Sequence, residues 1–205
     1  MNEFIRYLKK ENLIEKLLEY YKIDQIKDNV EEYLNKLIEK FGWVEDKIGS
    51  RDEINLLDLD FNSLGKFYEE SLPQKERKIS GEFYTPKPIV SYILDAVGYN
   101  ESNNIQAKKL IDISCGSGSF IILAIRVLIR NCLKNYNRHN FSELLPEEAK
   151  NIVLTIKENI YGIDVNPLAC TLCQINMHFE LFELIKIIKV KEKHYFLPLF
   201  NIINS

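Results

Sequence analysis

Apolar residues return every three or four positions through the first part of the chain. Phe4, Ile5 and Leu8 are followed by Ile14, Leu17, Leu18 and Tyr21. That period stacks side chains on one face of a helix. A second stripe runs through Ile26, Val30, Tyr33, Leu34, Leu37, Ile38 and Phe41, and Gly42 suits its C-terminal stop. The polar stretch 45–55 reads as a connection, and 63–69 as a short helix capped by Asn62 or Ser63. Residues 1–72 are assigned to a helical N-terminal region.

Beyond Pro73 the pattern changes. Residues 75–78 form a charged link, and Thr85-Pro86 opens a helix, threonine as cap and proline at its start. Ile89, Val90, Ile93, Leu94 and Val97 are its expected buried face, with Gly98 ending it. A strand at 110–113, a glycine turn at 115–118 and an apolar helix at 120–133 follow. Pro146 starts another helix, with Glu147 and Glu148 well placed in its first turn. A second strand is expected at 160–165. Asn166-Pro167 then caps and starts a helix to about Leu184, and a third strand begins near 199–203. Strands alternating with helices predict an α/β fold, a parallel sheet with helices on both faces.

Composition adds limits. The chain is 46% hydrophobic, enough for a core, and carries no run of about 18 apolar residues that would span a membrane. Its N-terminus turns charged at Glu3 and Arg6, unlike a secretory signal. Four cysteines do not make a disulfide scaffold, so a reducing, cytoplasmic setting is the default. A net charge of −3 argues against a free-standing nucleic-acid-binding module, though not against a catalytic module gripped to DNA elsewhere.

The densest chemistry lies in Asp112-Ile113-Ser114-Cys115-Gly116-Ser117-Gly118-Ser119-Phe120. Glycines leaving a strand let backbone approach a ligand, and the next helix points free N–H groups at an anion such as a carboxylate. Asp112 is placed to pair with an ammonium. A tight turn with no ligand is the plainer alternative. Asp164 ends the second strand, where an acid commonly holds ribose hydroxyls. It lies 52 positions (164 − 112) after Asp112, whereas a dinucleotide site puts the acid roughly 20 residues on. That spacing disfavours a nicotinamide dinucleotide. Phe83 and Tyr84, beside Gly81 and Thr85-Pro86, either wall a ligand cavity or form a hydrophobic staple. Cys170 and Cys173 with His178 fall short of four zinc ligands and read as packing, so no metal is expected. Lys186, Lys189, Lys191 and Lys193 read as a solvated face rather than a phosphate site.

Taken together these elements resemble the gamma-type DNA adenine-N6 methyltransferases of restriction–modification systems, including type I modification subunits and type IIG enzymes. Gly81, Phe83, Tyr84, Thr85 and Pro86 match G-x-[FY]-[FY]-T-P. Asp112, Cys115, Gly116, Ser117, Gly118 and Phe120 match D-P-x-C-G-S-G-x-F, and Gly162, Asp164, Asn166 and Pro167 match G-x-[DE]-x-[ND]-P. Leu64, Gly65, Tyr68 and Glu69 match L-G-x-x-Y-E. The resemblance spans about 60–205. It implies that residues 73–205 are the first part of a Rossmann-like methyltransferase sheet binding S-adenosyl-L-methionine. Phe83, Thr85 and Pro86 would border the methionine end, with Tyr84 beside them. Asp112, Gly116 and Gly118 would hold the amino-acid moiety, with Cys115, Ser117 and Phe120 completing the loop. Asp164 would hold the ribose hydroxyls, and Val165 or Asn166 would lie near the adenine.

Two departures bear on activity. Ile113 stands in place of the family's proline. The family's catalytic [ND]-P-P-[YF] is missing, because none of the six prolines (73, 86, 88, 146, 167, 198) adjoins another, and its D-[ST]-L element is missing too. The resemblance therefore implies a cofactor-binding part of an adenine-specific DNA methyltransferase, inactive alone. The complete enzyme would engage double-stranded DNA, with a specificity subunit or C-terminal half as partner. A non-catalytic cofactor-binding remnant or partner subunit, and an RNA or protein-glutamine methyltransferase fragment, are the alternatives.

Overall fold

The computed structural model describes residues 85–195 and 198–205. The N-terminal helices expected before residue 72, the charged link at 75–78, and Phe83 and Tyr84 lie outside the described residues.

The chain runs α1 (Lys87–Ala96), β1 (Leu110–Asp112), α2 (Ser119–Asn135), a 3-10 turn (Phe141–Glu143), α3 (Pro146–Asn159), β2 (Ile160–Asp164), α4 (Pro167–Glu180), α5 (Phe182–Lys191) and β3 (Asn201–Asn204). The three strands are parallel and ordered β1-β2-β3. Register places Asp112 beside Gly162, and Asp164 beside Asn204.

Most boundaries follow the sequence. Glu148 reaches back to the Leu145 N–H at 2.9 Å and also binds Arg138, fixing the start of α3. Asn166 caps α4 by accepting from the Leu168 N–H at 3.0 Å. Tyr99 N–H donates to the Leu94 carbonyl past Gly98, closing α1.

Several expectations need correction. Thr85 does not cap α1: the cap position is Pro86, and no side chain bonds the first turn. Of the expected apolar face only Val90 and Leu94 are buried, while Ile89, Ile93 and Val97 are exposed. The helix after Asn166 does not run unbroken to Leu184. It breaks at Leu181, and α5 leaves to pack on α3. Nor do the described helices cover both sheet faces. Ile160, Gly162, Asp164 and Ile202 are buried on one face, while Ile111 (58% exposed) and Ile203 (48%) stand on the other. The cause is topological. Successive strands are added in one direction, and right-handed crossovers taken in one direction lay their helices on one side.

α4 is buried all round: every residue from Leu168 to Glu180 is enclosed. It presents two stripes. Cys170, Gln174 and His178, four apart, face the β3 segment. Gln174 exchanges both amide bonds with the Phe200 backbone, and His178 meets the Phe200 ring edge-on at 5.5 Å. Cys173, Asn176 and Glu180 face the start and body of α2. There Arg126 and Glu180 form a buried two-pronged ion pair at 2.8 and 2.9 Å.

Candidate functional site

β1 ends at Asp112, and the chain turns through 113–118 into α2. Several hydrogen bonds shape that turn. Cys115 N–H donates to the Ile163 carbonyl (2.9 Å), tying the loop to β2, and Gly118 N–H closes a tight turn onto the Cys115 carbonyl (2.9 Å). Gly116 N–H donates to Asp164 Oδ2 (2.8 Å). Asn176 Nδ2, from α4, donates to the Ser117 carbonyl (2.9 Å).

The two loop glycines are needed for different reasons. Gly118 has φ +94°, and a Cβ there would meet Cys173 Sγ at 2.6 Å, so it serves close packing of the loop on α4. Gly116 has φ +54°, and a Cβ there would meet nothing within 4 Å. The space over Gly116 is open, as a ligand cradle requires.

α2 begins at Gly118 with no side-chain cap and no acid in its first turn. Its leading N–H groups are a ready anion partner. Asp112 is half-buried and accepts from Ser114 N–H at 3.1 Å. Burial raises its pKa, the Ser114 N–H opposes this, and the Asp164 charge adds to the rise. A carboxylate held this way favours a cation beside it. Asp164 is buried, with Oδ1 accepting from Asn166 N–H (2.8 Å) and Oδ2 from Gly116. A carboxylate oxygen has two acceptor sites, so each keeps one for a hydroxyl. Val165 stands 72% exposed next to it.

The structure thus gathers Asp112, Cys115, Gly116, Ser117, Gly118 and Asp164 around one loop, with Val165 and Asn166 at its edge. Phe120 packs partly into the core below. Thr85 and Pro86 are exposed at the start of α1. Sequence reading missed Asn176, and read Cys173 as packing without naming Gly118 as what it packs on. The available signal was a helix with apolar residues on every side that nonetheless holds Gln174, Asn176 and Glu180, since such a helix is buried and its polar groups need partners. The pair Cys170 and Cys173 also divides: Cys173 abuts Gly118, and Cys170 faces the Ile203 carbonyl of β3.

A cavity of about 430 Å³ between α1 and α2, lined by Leu94, Tyr99, Leu123 and Arg126 among others, shares no residue with this loop. Among the described residues no cluster of His, Cys, Asp and Glu is arranged to hold a metal, and no helix is long and apolar enough to cross a membrane.

With this geometry in hand, comparison with known proteins gives the family. The model of N-6 DNA methylases matches residues 60–196. The chain belongs to the N-6 DNA methylase family. A type I restriction enzyme methylase subunit (MjaIX) of Methanocaldococcus jannaschii is 29% identical to this chain over 114 residues, 56% of the chain and 15% of that protein. The adenine-specific methyltransferase PglX of Streptomyces coelicolor is 28% identical over 122 residues, covering 9% of its length. The chain therefore spans a small part of these relatives. A solved modification subunit assigned to a type I restriction enzyme of Vibrio vulnificus YJ016 is 23% identical. It matches 66% of this chain and 24% of its own, at a TM-score of 0.39.

Proposed function

We propose that this N-6 DNA methylase chain is the S-adenosyl-L-methionine-binding part of a DNA adenine-N6 methyltransferase of a restriction–modification system. The observation that carries the reading is the uncapped start of α2 under an open Gly116, flanked by Asp112 and Asp164. The cofactor has a carboxylate, an ammonium and two ribose hydroxyls, and the loop offers one complement to each. The N–H groups of α2 take the carboxylate, Asp112 the ammonium and Asp164 the hydroxyls. Val165 offers an apolar surface for the adenine, and Asn166 lies beside it. Phe83, Tyr84, Thr85 and Pro86 complete the methionine end by resemblance. Cys115, Ser117 and Phe120 complete the cofactor-binding loop, with Cys115 and Ser117 buried beneath it.

This part of the sheet is read as the opening of a Rossmann-like fold. When bound, the cofactor supplies an electrophilic methyl group for the adenine N6 of a base turned out of the duplex. The chain's own residues orient the cofactor and contribute no base-holding group, because the [ND]-P-P-[YF] element is not among its 205 residues. Duplex DNA and a specificity subunit are engaged through the complete enzyme.

Titration calorimetry with S-adenosyl-L-methionine tests the reading. Saturable binding lost in Asp164→Ala supports it, and no binding at millimolar ligand refutes it. Incubating the pure chain with labelled cofactor and unmethylated DNA should transfer no methyl group. Measurable transfer would refute the assignment as a cofactor-binding part alone.

A further inference from the structure

Asn176 has no place in the motifs that point to the cofactor, yet it touches the loop they define. It lies on α4, is buried, and its side-chain amide donates to the Ser117 carbonyl, 59 positions away in sequence, at 2.9 Å. That carbonyl belongs to the peptide joining Ser117 to Gly118, the residue at φ +94° that opens α2. A peptide plane has two orientations open to it in a glycine turn. In one, the Ser117 oxygen faces the core; in the other, it swings out toward the helix start and sets a partial negative charge where an anion would bind. Glycine visits positive and negative φ about equally, so Gly118 by itself does not choose between the two.

We infer that Asn176 is a positioning residue for the amino-acid end of the cofactor, acting by holding the Ser117 carbonyl inward so that the α2 N-terminus presents only N–H groups. Two neighbours on its stripe hold the register. Cys173 abuts Gly118 one turn earlier, and Glu180 grips Arg126 one turn later. The stripe sets α4 against α2 at three heights, and Asn176 is the member that touches loop backbone by hydrogen bond. This rests on the cofactor reading above and deepens it.

The test compares two ligands differing at the end in question. S-adenosylhomocysteine carries the ammonium and carboxylate; methylthioadenosine has the same nucleoside without them. Asn176→Asp keeps shape but loses the donating amide, and Asn176→Ser is too short to reach; between them, at least one is to be taken that melts within a few degrees of the parent. Loss of this bond should weaken S-adenosylhomocysteine about tenfold and methylthioadenosine less than about twofold. Asp164→Ala should weaken both. Equal losses for both ligands, or none for either, would overturn the inference while leaving the cofactor reading intact. If neither variant retains the fold, Asn176 is a stability residue and the inference is overturned. Failure of the parent protein to bind either ligand would overturn the cofactor reading itself, and the inference with it.

Discussion

Asp164 at the end of β2 accepts the Gly116 N–H at 2.8 Å, joining the first glycine turn to the second strand across 48 residues. The same carboxylate accepts from Asn166 N–H, so one side chain fixes both the loop and the entry to α4. Asp164→Asn keeps the size but removes a charge and one acceptor. It should weaken cofactor binding by about tenfold or more, as loss of charged hydrogen bonds does. Calorimetric titration of parent and variant checks this; equal affinities would remove Asp164 from the site.

The two loop glycines should respond unequally to alanine. At Gly116 only the left-handed backbone resists, at about 1 kcal/mol. At Gly118 the same strain adds to a 2.6 Å approach to Cys173 Sγ, for a total loss of about 2 kcal/mol or more. Cys173→Ala in the Gly118→Ala background should recover part of that loss. Urea unfolding midpoints of the three variants decide it, and equal midpoints for the two glycine changes would contradict the packing.

How much of this was legible in the sequence depends on what each residue touches. The places of Gly116, Gly118, Asp112 and Asp164 were legible because they lie at strand ends and in a tight turn, which are local. The cap at Asn166 is local too. The exposure of Ile89, Ile93 and Val97 is not, since periodicity marks a face without saying what covers it. Asn176 and Cys173 act on residues more than fifty positions away, and only the packed helix brings them there. The break at Leu181 is likewise tertiary: nothing in the run from Phe179 to Leu184 forbids helix, and α5 turns off to pack on α3.

His178 gives the molecule an acid limit. It is fully buried, neither ring nitrogen has a hydrogen-bond partner among the described residues, and burial pushes its pKa down to about 3 from 6.5. Above pH 6.5 the imidazole is neutral in both states and adds no pH dependence. As pH falls from 6.5 toward 3 the unfolded chain takes up a proton that the folded chain refuses, so stability falls across that window. The loss from this group should reach roughly 1.5 kcal/mol between pH 6.5 and 5. His178→Leu should flatten the slope. Unfolding midpoints at both pH values for the parent and variant check it, and parallel slopes would show that His178 does not titrate in this way.

The sheet face that the described helices leave uncovered should make the isolated chain associate. Ile111 and Ile203 stand exposed on it, and parallel sheets are ordinarily covered on both sides. Lysine at either position should raise the concentration at which sedimentation reports oligomers, with little change in melting temperature. A monomeric parent at high concentration would show that this face is tolerated in water.

The strand order carries a consequence for how the chain comes into being. β1, β2 and β3 sit side by side in the order in which they are synthesised. Each new strand joins the outer edge of the one before, and none has to be threaded between two already paired. Growth from N- to C-terminus on the ribosome can therefore lay the unit down like successive courses of brick: β2 delivers Asp164 to the glycine loop, and α4 then adds the Asn176 bond that completes it.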